Sequence, residues 1–491
     1  MAGPVPTASS LADVYTEDAL PVQTKRWNAL LDQFEVQYGH PATFVARSPG
    51  RVNIIGEHID YSLYSLQVAN LQGDKFPART FEVDVNGDVT IDAKVHEWSN
   101  YFRSGLRGAL ELLRRKRGPG FRPQGMKVLM DGSVPIGGGL SSSAAFTSVS
   151  ALAVMRANVD KTELTELAIV SERAVGVNSG GMDQSASVFS QRGSALFVSF
   201  TPSLTARNVF FPKTNPELSF VIAQSFVTSN KQVTGPIHYN LRVVECSMAG
   251  AALNPAGTKL PKDASPLGIS IHGFHDVYFA NHDQPHSESA STEEAAEAQL
   301  RVLIDVTRKT LTSEEGYTRE EIAKVLGVSV EELEQIFMSK LSVRAERFKL
   351  RQRALHVFEE ALRVLQFMKV LEKEAPTDSA DTTAYNKRLG ELLNETQVSC
   401  RDLYECSAPE IDELCRIAVE NGSYGSRLTG AGWGGCTVHM VPADRVAAVK
   451  EAWEKEYYSK RDLTEEQKEG AVVVSKPGSG AVTYLLKEGV L

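Results

Sequence analysis

Cysteine is scarce in this sequence, and its few cysteines do not form the pattern of a disulfide framework or a zinc site. Their number is odd and no two stand at C-x-x-C spacing; they are Cys246, Cys400, Cys406, Cys415 and Cys436. This usage is typical of reduced thiols in a cytoplasmic protein.

The chain also lacks a basic excess, a long apolar run and a basic apolar leader. Lys and Arg number 52 against 61 Asp and Glu, a net charge of -9, which argues against a nucleic-acid or anionic-membrane partner. No apolar run approaches membrane-spanning length. The N-terminus instead carries Asp13, Glu17 and Asp18, so we expect no secretory or transit signal and a soluble, cytoplasmic protein.

What is present indicates an ordinary globular protein of more than one domain. The chain has 491 residues, of which 42% are hydrophobic and 23% charged, enough for two domains with their own cores. Strands alternate with helices in the first part, whereas long amphipathic helices dominate the second. We therefore predict an α+β fold with domains at 1–215 and 216–491, the second carrying a helical insertion around 252–375.

A glycine-rich stretch at 134–146 reads V-P-I-G-G-G-L-S-S-S-A-A-F. Consecutive glycines let a backbone approach a ligand closely, and the serines and alanines that follow open a helix. Unpaired amides at a helix N-terminus bind anions. The lysine of the Walker loop is missing. The stretch predicts a phosphate-binding loop, with a buried helix start that binds nothing as the alternative.

Polar residues crowd the stretch 51–60, between Arg51 and Asp60. Glu57 and His58 lie beside that aspartate in sequence, and carboxylates and imidazole suit the capture of a polyhydroxylated ligand. A metal site is a rival hypothesis with only one histidine here, and a charged turn with a helix cap is the other alternative.

A further acid, Asp183, follows two glycines. A carboxylate on a tight turn can act on a substrate hydroxyl as a base or an orienting group, although Gly-x-Asp turns are common. Glu172, on the preceding predicted helix, could hold Mg²⁺ together with Ser143.

The stretch 425–435 reads G-S-R-L-T-G-A-G-W-G-G and contains G-x-G-x-x-G. The residues after it, 436–441, have the pattern of a strand, so the strand-then-helix context of a dinucleotide-binding site is missing. We predict a second glycine loop that closes over phosphate.

Together, the stretches 51–61, 135–144 and 428–436 resemble the three signature motifs of the GHMP small-molecule kinases, and within them of the galactokinases. The stretches 229–231, 239–245 and 407–410 resemble the fungal galactokinases most closely, with animal N-acetylgalactosamine kinases next. The resemblance implies an N-terminal α/β domain like that of ribosomal protein S5 and a C-terminal ferredoxin-like α+β domain with extra helices. It implies ATP-dependent phosphorylation of galactose at the C1 hydroxyl, to galactose 1-phosphate, in the Leloir pathway of galactose catabolism.

The resemblance also implies roles for residues of this chain. Asp183 would be the catalytic acid/base, and Arg51 would stabilise its carboxylate and the charge of the transferred phosphoryl group. The remaining sugar-binding residues would be Glu57, His58, Asp60, Gly180, Gly181 and Tyr239. The residues that wrap the ATP phosphates or flank the nucleotide would be Gly137, Gly139, Ser141, Ser142, Ser229, Asn230 and Lys231. Ser143 and Glu172 would sit at Mg²⁺.

One stretch departs from the family pattern. Where the family continues into an apolar strand, this chain passes from 61–67 almost at once to residues that resemble a segment well downstream. We therefore expect a strand or more of the N-terminal sheet to be missing after Tyr64. Either the gene model skips a segment or the enzyme is impaired.

Two other functions stay open at this point. An N-acetylgalactosamine kinase would need a roomier pocket around the sugar C2 substituent than a galactokinase needs. A non-catalytic galactose and ATP sensor, of the kind that engages a transcriptional repressor in fungi, belongs to a different class; known inducers of this kind lack a Ser-Ala pair in the nucleotide loop, which is intact here at 141–145. We expect a monomer.

Overall fold

The computed structural model describes residues 3–55, 69–70, 89, 91, 97–118, 126, 128–134, 140–155, 161–172, 181–199, 205–227, 234–254, 259–263, 265–287, 289–376, 381–475 and 478–486. These residues form an α+β protein, as predicted. The strands are β1 (Thr7–Ala8), β2 (Phe44–Arg47), β3 (Ala69–Asn70), β4 (Leu129–Met130), β5 (Ser194–Ser199), β6 (Thr205–Phe210), β7 (Leu218–Gln224), β8 (Gly425–Thr429), β9 (Cys436–Pro442), β10 (Val472–Ser475) and β11 (Val482–Leu485).

Helices account for most of the described chain. They are α1 (Leu20–Tyr38), α2 (Asn100–Arg117), α3 (Ser142–Met155), α4 (Lys161–Glu172), α5 (Met182–Phe189), α6 (Tyr239–Leu253), α7 (Ile271–Asn281), α8 (Thr292–Thr310), α9 (Arg319–Leu326), α10 (Val330–Phe337), α11 (Leu350–Lys373), α12 (Thr383–Asp402), α13 (Pro409–Glu420), α14 (Val446–Glu456) and α15 (Glu465–Glu469). No helix among the described residues is long and apolar enough to cross a membrane.

A four-stranded antiparallel sheet, ordered β10-β7-β9-β8, forms the centre of the C-terminal part. Side chains alternate across its faces, as strand geometry requires. Val221 and Val441 pack with Trp453 of α14 on one face, whereas Phe220 and Met440 pack with α12 on the other. Helices therefore cover both faces of this sheet.

A three-stranded sheet, ordered β1-β11-β2, belongs to the other part of the molecule. Its central strand comes from the C-terminal end of the chain and pairs parallel with β1 and antiparallel with β2. The packed helices α2, α3 and α4 bury Leu112, Leu152 and Leu164 in a core shared with Ala481, one residue before β11.

The helices α6 to α11 share one core, which includes Val244, Phe274 and Leu303. Three of these helices begin with a capping box, in which a Ser or Thr and a Glu three residues on satisfy each other's backbone amides. These helices therefore pack around a core of their own, and that they form an insertion stays a prediction.

The predicted domain boundary at 215 stays a prediction, and strand pairing crosses it because β11 lies between β1 and β2. The strand that we expect to be missing after Tyr64 concerns residues outside those described. The nearest described element is β3, which pairs in parallel with β4.

Candidate active site

Arg51 and Asp183 form an ion pair at the centre of the candidate site. Arg51 Nε donates to Asp183 Oδ1 at 2.8 Å, and the two side chains are 9% and 16% exposed. A partly buried pair of this kind is both charge-balanced and reachable from solvent. The structure thus brings together the two residues that the sequence predicts to be catalytic, although they are far apart in the chain.

The backbone around Arg51 is fixed by close packing against the segment before α3. Its amide donates to the Leu140 carbonyl at 3.1 Å. The preceding residue must be glycine, because a Cβ at Gly50 would lie 2.7 Å from that same oxygen and 2.8 Å from Val134. Arg51 therefore reaches Asp183 from a rigid support.

Asp183 stands in the first turn of α5. The helix begins after Gly181, whose φ of 96° lies in the left-handed region that favours glycine. The Gly181 carbonyl accepts the amide of Ser185 at 2.9 Å. A carboxylate in this first turn is stabilised by the positive end of the helix dipole.

Ser141 lies at the start of α3 and contacts the same carboxylate. Its Oγ donates a hydrogen bond to Asp183 Oδ2. Ser142 and Ser143 follow as the first two residues of α3. The N-termini of α3 and α5 therefore meet at one carboxylate, with Arg51 on its other oxygen.

The second glycine loop, 430–435, is tied to the segment that carries Arg51. Thr429, the residue before the loop, accepts from the Asn53 amide and donates to its carbonyl, both at 3.1 Å. Gly432 and Gly434 have positive φ, and a Cβ on either would clash with the Cys406 or Val227 carbonyl oxygen. Contacts with Asn53, Cys406 and Val227 therefore fix the position of the loop.

Trp433, within this loop, joins it to the start of α6. Its Nε1 donates to the Glu405 carbonyl at 2.9 Å and its amide to the Cys406 carbonyl at 2.7 Å. His238 stacks on the Trp433 indole, with ring centroids 4.6 Å apart. The Arg242 guanidinium carbon lies 5.6 Å from the centroid of the same indole. Burial lowers the pKa of His238 and the nearby Arg242 charge lowers it further, so the stacked imidazole is neutral near pH 7. Tyr239, a predicted sugar ligand, is the first residue of α6.

A buried ion network supports this arrangement. Arg353 and Glu245 are each 1% exposed and joined at 2.7 Å, and Arg353 also binds Glu405 at 2.8 Å. Burial alone would lower the pKa of Arg353, but the two carboxylates outweigh it and raise the pKa. Burial would raise the pKa of Glu405, but Lys349 and Arg353 lower it on balance. Arg353 and Glu405 therefore both stay charged near neutral pH.

Cys436 follows the glycine loop and is fully buried near the site. Burial raises its pKa to about 12, although the nearby Arg51 charge opposes the shift. A thiol with this pKa is protonated at pH 7 and is a poor nucleophile.

The remaining predicted site residues lie partly or wholly outside the part of the chain that the structure describes. Glu172 is the last residue of α4, and its side chain lies outside the description. The predicted residues that fall outside the described part of the chain are Glu57, His58, Asp60, Gly137, Gly139, Gly180, Ser229, Asn230 and Lys231.

Sequence reasoning missed three features of the site. The first is the hydrogen bond from Ser141 Oγ to Asp183, since the resemblance implies only a phosphate contact for this serine. The Trp433–His238 stack and the ion network were not predicted, and the only local signal was the i, i+3 spacing of Arg242 and Glu245, which pair at 3.1 Å.

Three family models match this chain. A model described as the GHMP kinases N terminal domain matches residues 100–191, the GHMP kinases C terminal model matches 385–460, and the galactokinase galactose-binding signature matches 32–73.

Full-length relatives and a solved structure are also similar. The galactokinase of Saccharomyces cerevisiae is 40% identical over 501 residues, covering 93% of this chain and 94% of that protein. The galactokinase of Schizosaccharomyces pombe is 38% identical over 501 residues, covering 94% and 96%. The crystal structure of Lactococcus lactis galactokinase complexed with galactose has a TM-score of 0.57 at 21% identity, over 93% of this chain and 99% of that one. That structural similarity concerns the fold alone.

Proposed function

The chain belongs to the galactokinases of the GHMP kinase family, and from this premise we propose that it transfers the terminal phosphoryl group of ATP to the C1 hydroxyl of galactose. The observation that carries the proposal is the convergence of Arg51 and two helix N-termini on Asp183. The match of residues 32–73 to the galactose-binding signature supports galactose as the acceptor.

In the proposed mechanism, Asp183 accepts or orients the proton of the sugar C1 hydroxyl. The attacking oxygen becomes more nucleophilic as this proton moves towards the carboxylate. Arg51 holds the carboxylate through its Nε and offsets negative charge as the phosphoryl group is transferred. Phosphoryl transfer depends mainly on such positioning and electrostatic stabilisation.

ATP would lie with its phosphates at the start of α3, where the first-turn amides have no partner within the helix. Ser142 lies in this turn. For Mg²⁺, Ser143 in the first turn of α3 and Glu172 at the end of α4 belong to helices that pack together. A hydroxyl and a carboxylate suit this ion, which when bound neutralises phosphate charge.

A coupled ADP-release assay tests this function in the full-length chain. We expect release with galactose, none without sugar, and loss of at least about a hundredfold in Asp183→Asn. Asp131→Asn is the matched control, because Asp131 pairs with Arg26 in another half-buried ion pair of the N-terminal part. Wild-type turnover in Asp183→Asn would refute the assigned role.

The same assay separates the two alternative functions. Turnover with N-acetylgalactosamine exceeding that with galactose would identify an N-acetylgalactosamine kinase. Galactose binding measured by calorimetry, without ADP release from either sugar, would contradict catalysis by this chain and would agree with a sensor whose partner is a transcriptional repressor. The same result would also follow from an enzyme impaired by the segment expected to be missing after Tyr64.

A further inference from the structure

We propose that Ser141 is a positioning residue for the Asp183 carboxylate and not a ligand of the ATP phosphates. The inference rests on the proposed function, because it assigns Ser141 to the acid/base of that reaction. It differs from the role that the sequence resemblance implies for this serine.

Within the part of the chain that the structure describes, each carboxylate oxygen of Asp183 accepts from one side-chain donor. Ser141 Oγ donates to Oδ2, and Arg51 Nε donates to Oδ1 at 2.8 Å. Donors on both oxygens fix the plane of the carboxylate and leave lone pairs on each oxygen for a substrate hydroxyl. The Ser141 proton is used in this bond, so it is not available to a phosphate oxygen in the same arrangement.

The backbone of Ser141 is held in an unusual conformation that presents this hydroxyl. Its φ is 54°, in the left-handed region where a residue with a Cβ is disfavoured. The Ser141 carbonyl accepts the Ala145 amide at 3.1 Å and the Leu140 carbonyl accepts the Arg51 amide at 3.1 Å, so both sides of the residue are fixed.

Glycine would fit this conformation better, and three glycines stand directly upstream at 137–139. A serine in the strained position indicates that its side chain contributes something that glycine cannot. The described contact of that side chain is the hydrogen bond to Asp183. Strained residues of this kind often serve an active site.

Three substitutions distinguish the effect of the Ser141 hydroxyl from the effect of its strained backbone. Ser141→Ala removes the hydroxyl and keeps the strain, Ser141→Gly removes both, and Ser141→Thr keeps the hydroxyl and adds strain at a β-branched residue. Ser190→Ala is the matched control, because the Ser190 hydroxyl at the end of α5 donates to the Ala186 carbonyl of its own helix, at 2.6 Å.

We expect kcat with galactose to fall about tenfold to a hundredfold in both Ser141→Ala and Ser141→Gly, since a misaligned base loses reactivity. KM for ATP should stay within about twofold of wild type in both. Ser141→Thr should keep most of kcat. Melting temperature should instead depend on the backbone strain at residue 141. It should be highest in Ser141→Gly, lower in Ser141→Ala and lowest in Ser141→Thr. Ser190→Ala should keep wild-type kcat.

Three results would overturn the inference. A raised KM for ATP with unchanged kcat would make Ser141 a phosphate ligand. Recovery of kcat in Ser141→Gly relative to Ser141→Ala would show that the backbone matters and the hydroxyl does not. Wild-type kinetics in both variants would leave Ser141 without a role. Absence of galactose turnover in the wild-type chain is a different result, since it refutes the proposed function and the inference with it.

Discussion

At the residue scale, partners distant in sequence hold the side chains of the site. Asp183 is held by Arg51 and Ser141, and Asn53 is held by Thr429 from the other end of the chain. The motifs predict that Arg51 and Asp183 share one site, and the structure shows the two side chains in contact. They could not predict that Ser141 points at Asp183, because a rotamer depends on the neighbour that the fold supplies.

His439, on β9, is a buried histidine that makes stability depend on pH. Its ring nitrogens hydrogen-bond Thr437 Oγ1 at 2.6 Å and Ser426 Oγ at 2.9 Å. Burial lowers its pKa to about 3, whereas an unfolded histidine has a pKa of about 6.5. Between these values the unfolded chain binds a proton that the folded chain does not. Folding stability therefore falls as pH falls through this window.

We expect this histidine to cost the wild-type chain about 2–3 kcal/mol of unfolding free energy between pH 6.5 and 4.5. Urea denaturation at several pH values measures the unfolding free energy. Between pH 6.5 and 4.5 this free energy should fall by that amount less in His439→Gln than in wild type. His282→Gln, which replaces an exposed histidine at the end of α7, is the control and should keep the wild-type pH dependence. Equal pH dependence in wild type and His439→Gln would contradict the prediction.

At the element scale, periodicity predicted the long helices well. The spacing of apolar residues predicts helices at 348–371 and 319–326, and the structure has α11 (Leu350–Lys373) and α9 (Arg319–Leu326) there. Both have a repeating apolar face, which is a property of the local sequence. The polar, Ser-rich stretch at 282–294 predicts an exposed loop, and its described residues up to Ser291 do connect α7 to α8, which begins at Thr292.

The packing of α12 on β8 was not predictable, because it depends on two glycines from different elements. A Cβ at Gly390 would lie 2.4 Å from the backbone of Tyr424, and a Cβ at Gly425 would lie 2.4 Å from the Gly390 carbonyl oxygen. The helix and strand backbones are therefore in direct contact. β8 leads directly into the loop at 430–435, so this contact also fixes one end of that loop.

We expect Gly390→Ala to destabilise the protein by about 3 kcal/mol, because neither backbone can yield without moving its whole element. Thermal and urea unfolding of the purified variant measure the loss. Gly132→Ala is the control: Gly132 is exposed and a Cβ there would meet nothing within 4 Å. It should change stability by less than about 1 kcal/mol, in the stabilising direction. Equal effects of the two substitutions would show that the close contact is not maintained in solution.

At the scale of the whole molecule, the family membership and the α+β class predicted from three short motifs are confirmed. These motifs are informative because each needs unusual residues, such as the glycines 432 and 434 that pack against carbonyl oxygens. The return of the C-terminal strand β11 into the sheet with β1 and β2 was not predicted. Strand pairing across more than four hundred residues leaves no local signal in the sequence.

This return makes the N-terminal sheet depend on the last described residues of the chain. Thr483 is fully buried in β11 and its amide donates to the Pro6 carbonyl at 3.0 Å. Proline at this position removes the donor from a central strand, where proline is essentially never found. We expect Thr483→Pro to lose hydrogen-exchange protection at β1 and β2, as measured by mass spectrometry of peptides from 3–15 and 40–55, while β8 and β9 keep theirs.

Thr483→Val distinguishes the lost amide from the altered side chain. It keeps the backbone donor and the shape but removes the hydroxyl, which lies 3.2 Å from Thr7 Oγ1. Its cost should stay near 1 kcal/mol, the usual contribution of one hydrogen bond, and protection of β1 and β2 should persist. If Thr483→Pro instead lowered protection only around residue 483, β11 would be an appended strand. Loss of protection at β1 and β2, with β8 and β9 still protected, would mean that the sheet β1-β11-β2 forms only when β11 has docked between its two neighbours.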